Sequence, residues 1–166
     1  MLTDEAGNAL DTSAAIADNT ILIVLTAYET WTGEGGSTFD NDTNQDGIAD
    51  GIAWVLGASD PGADAHSKLP IASTGSGEDA GELTLQFSML NAASRGSAVV
   101  ILEYSNDLGV ADDWSSHRIT IPETSSTVGG VVFVITPNGN SNQVQATIPA
   151  TGAGNGKLFS RISLEP

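Results

Sequence analysis

The chain has 166 residues, which suits one domain or one domain with a small appendage. Acidic residues outnumber basic residues by 21 to 5, so the formal charge is −16, while 40% of the residues are hydrophobic. This balance argues against nucleic acid and anionic membrane surfaces as partners, because both require basic patches. It favours a divalent cation, high-salt surroundings or simple solubility, and a solvated acidic surface accounts for most of the charge.

The sequence contains no cysteine, which excludes a disulfide framework and a thiolate metal site. No apolar run approaches the length of a membrane span, so we predict no membrane insertion. The start of the chain lacks the basic region of a signal peptide. We expect either that a leader was removed or that this is a segment of a longer protein given a starting Met. The acidic, lysine-poor texture, rich in Gly, Ser and Thr, predicts an extracellular or cell-surface location.

The first segment, residues 1–26, is predicted to be a loose polar arm followed by a strand. Ile21 to Leu25 form a continuous apolar run, which is typical of a strand covered on both faces. The alternative is an exchangeable strand that pairs with a neighbouring subunit, because sheet edges accept added strands. Residues 27–32 then predict a short helical turn, which the glycines that follow bring to an end.

Residues 42–50 place oxygen-bearing side chains at alternate positions, with Gly47 after the third of them. Ca²⁺ takes six to eight oxygen ligands, and a loop supplies them when alternate residues turn inward and one residue bends sharply. In EF-hand numbering, the predicted ligands at places one, three, five, seven (through the backbone carbonyl) and nine are Asp42, Asn44, Asp46, Ile48 and Asp50. The alternative is a polar surface loop, because Asp, Asn and Gly are also common turn residues.

Place twelve of such a loop normally carries a bidentate Glu, but here it is Ala53. We rank Asp40 first as the replacement ligand because it is close in sequence. Water or one of four other acidic residues would also serve: Glu29, Glu34, Asp60 or Asp64. Apolar residues at helical spacing from Ile48 to Leu56 predict a short helix that ends at Gly57. We therefore predict a helical calcium-binding region over residues 27–66.

Residues 67–166 change to a twofold period. Leu83, Leu85, Phe87 and Met89 alternate with polar residues, which is typical of a half-buried strand. Further strands are predicted at 99–104, 118–121, 131–135, 144–148 and 158–164. Short alternating strands separated by Gly-, Ser-, Asn- or Pro-bearing turns indicate an antiparallel β-sandwich of the immunoglobulin or fibronectin kind, and a mainly β protein.

Other chemistry has weaker support. The two histidines, His66 and His117, lie outside any recognised nucleophile motif, and residues 115–117 are interpreted as a strand edge. We therefore predict that the chain is not an enzyme. Trp31, Trp54 and Trp114 are interpreted mainly as packing residues, and stacking on sugar rings is the alternative.

Four stretches together resemble a known family. Residues 42–57 combine the acidic loop with a short segment ending in Leu-Gly, and Leu69-Pro70 follows. Residues 103–108 read Glu-Tyr-Ser-Asn-Asp-Leu with Trp114 after them, and residues 156–161 read Gly-Lys-Leu-Phe-Ser-Arg. In this order they resemble the C-terminal calcium-loop and β-sandwich module of large secreted verrucomicrobial and planctomycete proteins.

This resemblance implies a calcium-stabilised extracellular module whose loop chemistry is similar to that of dockerins and thrombospondin type 3 repeats. Many members of that family carry Glu at the position of Ala53. Our first hypothesis is therefore a non-enzymatic structural or adhesion module that binds Ca²⁺. The second is a self-assembling subunit of a filament or surface layer, with the chain itself as partner through the N-terminal strand. The third is a carbohydrate-binding module with a cell-surface polymer as partner.

Overall fold

The computed structural model describes residues 26–33, 38–152 and 156–165. The predicted arm and all of the apolar strand except Thr26 lie outside the described residues, as does Glu34. The strand and its exchange with a neighbouring subunit therefore stay predictions. Thr26 itself is the N-cap of the first helix, where its hydroxyl accepts a hydrogen bond from the Glu29 amide.

The protein is mainly β, with two antiparallel sheets and a few short helices. The helices are α1 (Ala27–Thr32), α2 (Asp50–Val55) and α3 (Ala92–Arg95). The strands are β1 (Ile71–Thr74), β2 (Leu83–Leu90), β3 (Val99–Ser105), β4 (Arg118–Thr120), β5 (Ser126–Val128), β6 (Val131–Asn138), β7 (Ser141–Ile148) and β8 (Phe159–Glu165). One sheet has the order β1-β2-β7-β6-β5 and the other has the order β4-β3-β8.

The six predicted strands are confirmed as β2, β3, β4, β6, β7 and β8. Strands β6 and β7 run further than predicted because they form a hairpin around Gly139, whose φ of 63° suits the tight turn. Strands β1 and β5 were not predicted. Both are short and exposed along their whole length, so no buried face imposes an alternation on their sequences.

The strand edge expected at residues 115–117 is wrong. Trp114–His117 form a 3₁₀ turn, and β4 begins one residue later at Arg118. The cause is local, because the side chain of Asp113 caps the turn by accepting a hydrogen bond from the Ser115 amide at 2.8 Å.

A single buried apolar cluster takes side chains from both sheets. Leu85 and Phe87 of β2 belong to it, and so do Val100 and Leu102 of β3. Four residues of the helical segment are members of the same cluster: Tyr28, Trp54, Val55 and Leu56. Burial of this shared apolar surface is the main driving force for folding.

Strand β3 is buried on both faces. Val100, Leu102 and Tyr104 lie in the apolar cluster, while Glu103 points to the other side and is 3% exposed. The Nε of Arg161 on β8 lies 2.6 Å from the Glu103 carboxylate. The Nε of Arg118 on β4 lies 3.8 Å from it. The buried carboxylate thus joins all three strands of this sheet.

A second ion pair, formed by a buried arginine, holds α3 against the sheets. Arg95, which is 7% exposed, donates to the carbonyls of Leu90 and Ala98 and lies 2.5 Å from the Glu123 carboxylate. Glu123 also accepts from the Ala92 amide and the Asn142 side chain, both at 3.1 Å. Burial opposes ionisation of Glu123, but Arg95 and the other donors outweigh that effect and hold its pKa below the usual value.

We therefore expect Glu123→Gln to lower the free energy of unfolding by about 2 kcal/mol at neutral pH, because the buried Arg95 loses its charged partner, whose partial exposure keeps the loss below that of a fully buried pair. A carboxyl with a lowered pKa stabilises the fold above its unfolded value of about 4.3, and that contribution is lost as the pH falls through the folded value. The difference between wild type and variant should therefore shrink in acid. Urea unfolding at several pH values measures it, with Glu82→Gln as the control. A difference that does not change with pH would contradict this role.

Candidate divalent-cation site

Loop 42–50 is closed at its base by two backbone hydrogen bonds. The Asp50 amide donates to the Asn41 carbonyl at 2.6 Å, and the Gly51 amide donates to the Phe39 carbonyl at 3.0 Å. Position 51 requires glycine, since an added Cβ would lie 2.6 Å from the Cβ of Phe39. This close approach fixes the start of α2 against the entrance of the loop.

Inside the loop, carboxylate and amide oxygens turn toward backbone N–H groups. Asp42 accepts from the amides of Asp46 (3.2 Å) and Gly47 (3.0 Å). Asn44 Oδ1 also accepts from the Asp46 amide at 3.1 Å. Gly47 has a φ of 84°, as expected for the predicted turn residue, and Gln45 also has a positive φ of 59°. The loop is therefore tightly wound, with oxygen atoms directed inward.

Asp50, predicted at place nine, has a role within the protein itself. Asp50 is buried, with 2% of its surface exposed. Thr43 donates to it twice, from the backbone amide at 3.1 Å and from the hydroxyl at 2.6 Å. The carboxylate thereby ties the beginning of the loop to the first residue of α2.

A second segment of chain meets the loop at Asp46. The Asn44 side chain donates to the Ala63 carbonyl at 2.8 Å, and the Ala65 amide donates to Asp46 Oδ2 at 3.1 Å. Asp64 and His66 are the two neighbours of Ala65 in the sequence. The Asp64 carboxylate accepts a hydrogen bond from the His66 amide at 2.9 Å and lies 2.6 Å from the His66 Nδ1. Residues 63–66 thus form one wall of the loop.

Among the described residues, one group of three acidic or histidine side chains places its ligand atoms within 4.8 Å of one another: Asp46, Asp64 and His66. Asp46 is half-buried, and the other two side chains are exposed. Oxygen and imidazole nitrogen donors at this separation suit a divalent cation bound between the two segments.

The titration behaviour of the trio follows from its hydrogen bonds. The Ala65 amide is the main cause that lowers the pKa of Asp46, and the His66 amide and ring lower the pKa of Asp64. In return, the Asp64 carboxylate raises the pKa of His66. Both carboxyls are therefore ionised at neutral pH, as cation ligands must be.

The other predicted ligands lie as follows. Ile48 is buried, and its amide donates to Asp46 at 2.8 Å. Asp40 is exposed and is not a member of the trio. It lies near Tyr28, whose pKa is raised to about 12 by burial first and then by the charges of Asp50 and Asp40. The assignment of Asp40 as a ligand stays a prediction.

Ala53, at place twelve, faces an apolar cluster with Ile48, Ala58 and Ala65. The helix after the loop therefore supplies packing at the position where an EF-hand supplies a carboxylate. Sequence reasoning placed Asp64 among the alternatives but did not consider His66 as a cation ligand beside the loop. Asp64 and His66 form an Asp-x-His pattern in the sequence, but no spacing rule connects that pattern to loop 42–50.

The remaining sequence candidates lie in packed surroundings. Trp54 is buried, and the half-buried Trp31 donates from its indole N–H to the Ala58 carbonyl at 2.9 Å. The guanidinium of Arg161 lies 4.7 Å from the centre of the Trp114 ring. His117 stacks on Tyr104, with ring centres 4.4 Å apart. These are the contacts of residues that stabilise a fold.

Comparison of the chain with known protein families, with curated proteins and with solved structures found no match. In the part of the chain that the structure describes, no helix has the length and apolar character needed to cross a membrane.

The contact between Thr43 and Asp50 gives a test of the loop that does not depend on a cation. Thr43→Val removes the hydroxyl donor and leaves one oxygen of the buried carboxylate without it, so we expect the free energy of unfolding to fall by about 1 to 2 kcal/mol. Because this contact lies within the protein, the loss should be the same in calcium and in chelator. Thr127→Val at an exposed position of β5 is the control. A loss seen in calcium alone would show that Asp50 acts as a cation ligand instead.

Proposed function

We propose that this chain is a non-enzymatic, calcium-stabilised extracellular module with a structural or adhesive role. The observation that carries the proposal is the convergence of Asp46 with Asp64 and His66, which belong to a separate segment. The alternate spacing of Asp42, Asn44 and Asp46 and the sharp turn at Gly47 support it independently.

The cation acts as a clamp in this proposal. Carboxylates crowded into one loop repel one another, and a divalent ion bound among them replaces that repulsion by attraction. The ion joins loop 42–50 to residues 63–66, and Asp64 supplies the oxygen that Ala53 lacks. In the sequence, the two joined segments precede and follow α2. Trp54 of α2 and Leu56 at its C-cap belong to the core that both sheets share. Binding at the loop therefore stabilises the whole fold.

We also propose that the two sheets pack face to face as a sandwich of the immunoglobulin or fibronectin kind. The shared apolar cluster supports this arrangement, because it takes alternate residues from strands of both sheets. An extracellular location is consistent with the acidic composition. We expect the weak calcium affinity typical of extracellular modules, about 10⁻⁴ to 10⁻³ M.

A thermal melt with and without calcium tests the clamp. At about 10 mM Ca²⁺, a site of that affinity adds about 1.4 to 2.7 kcal/mol and raises the Tm by about 3 to 10 °C. Asp46→Asn should abolish the shift because Asp46 belongs to both the loop and the trio. Asp79→Asn changes the charge equally at a distant exposed turn and should keep the shift. Identical melting temperatures of the wild type in calcium and in chelator would refute the proposal.

The imidazole of His66 gives a second test, on ion selectivity. Ca²⁺ takes oxygen ligands, whereas Zn²⁺ also binds imidazole. We expect about 0.1 mM Zn²⁺ to stabilise the wild type and His66→Gln to remove that effect while keeping the calcium shift. His117→Gln, at the other histidine, should keep both responses. Loss of the zinc effect in His117→Gln alone would place the ion elsewhere.

A further inference from the structure

The exposed side of the five-stranded sheet has an unusual composition. Along β2, Leu85 and Phe87 point into the core, so the residues between them point outward. The strand register extends this outward face across β7 and β6. We call the outward positions of these three central strands the neutral face: positions 84, 86 and 88 of β2, positions 143, 145 and 147 of β7, and positions 132, 134 and 136 of β6. All nine positions are Thr, Ser, Gln or Val, so none is charged.

The neutral face exposes apolar surface on an ordered frame. Val132 is 46% exposed and Val134 is 47% exposed. The hydroxyls of Thr84 and Thr147 lie 3.2 Å apart, and Gln86 donates to Gln145 across the strands at 3.2 Å. Side chains that are already paired across strands lose less conformational freedom on binding than free ones.

The charge of the remaining surface makes this composition informative. The chain carries a formal charge of −16, and its three arginines are engaged in ion pairs with glutamates. Two copies of such a protein repel each other at a distance and resist any contact that brings carboxylates together. A contact through the neutral face places no carboxylate of one copy against a carboxylate of the other.

Other occupants fit this face less well. A cationic partner would be drawn to the acidic surfaces elsewhere and would gain no charge pairing here. A polysaccharide would meet no aromatic ring on which a sugar stacks, because the neutral face contains none. A second copy supplies the matching surface, with Val to bury and amide and hydroxyl groups to exchange hydrogen bonds.

We propose that the neutral face is a self-association surface through which two copies of this chain pack sheet against sheet. Strands lie about 4.8 Å apart and rise about 3.3 Å per residue, so the face covers on the order of 300 Å². That is well below the ~800 Å² per partner of a standard stable interface, so the dimer is weak and forms at high protein concentration. This proposal does not depend on the cation clamp.

Sedimentation equilibrium of the full chain tests it, at protein concentrations from about 10 µM to about 1 mM. We expect a reversible monomer–dimer equilibrium whose dissociation constant falls when salt rises from about 0.05 M to about 0.5 M, because salt screens the repulsion between acidic copies. Calcium and chelator should give the same dimer, which separates this result from the clamp.

Val134→Glu places a charge in the middle of the β6 row of the neutral face, beside the central Gln145, and should weaken the dimer at least tenfold. Val110→Glu is the matched control, since it makes the same substitution at a loop residue that is 86% exposed, and it should leave the dimer unchanged. Gln145→Glu keeps the side-chain shape and repeats the test if Val134→Glu fails to fold. A monomer at every concentration and salt level, or equal weakening by Val110→Glu, would overturn the proposal. The proposal would also be overturned if the wild-type protein stayed monomeric but migrated more slowly in a native gel that contains a neutral polysaccharide.

Discussion

The pairing of every arginine with a glutamate is the constraint on which this structure depends. Glu103 is buried between Arg118 and Arg161, and Glu123 is the partner of the buried Arg95. Removing one member of such a pair leaves the charge of the other uncompensated. The first set joins β3 to both its neighbours, and the second ties α3 to residues beside the five-stranded sheet. A chain with so few cations therefore uses its guanidinium groups in ion pairs that join its own strands and helices.

This use of arginine determines the character of the surface. With the guanidinium groups engaged internally, the exposed carboxylates receive little compensation from cationic side chains, and cations from solution are their natural partners. Loop 42–50 brings several carboxylates close together. Backbone N–H groups there already hold Asp42 and Asp46 in an inward orientation. In the proposed cation clamp, a loop arranged in this way loses less conformational freedom on binding the ion, because its oxygen atoms are already ordered.

The sequence allowed prediction of those features that depend on local pattern. The alternation of Leu83 to Met89 predicted β2, and Gly47 predicted the turn of the loop, because each follows from a neighbour-to-neighbour rule. The approach of Asp64 and His66 to Asp46 did not follow from any such rule. It depends on Ala58 and Ala65 packing beside Ile48 and Ala53, and small apolar residues without a period give no sign of their partners. Strands β1 and β5 escaped prediction for the related reason that they bury no face.

The lengths of those two strands have a consequence for edge-to-edge pairing between molecules. Strand β1, with four residues, and strand β5, with three, are the edge strands of the five-stranded sheet in the described part of the chain. Such short ends present few unpaired backbone groups to an incoming strand, which disfavours growth of the sheet from molecule to molecule. The proposed face-to-face contact, in contrast, involves only two molecules related by a twofold axis and leaves no further copy of the same surface exposed. The short edge strands of this sheet thus disfavour its own extension into an open-ended fibre.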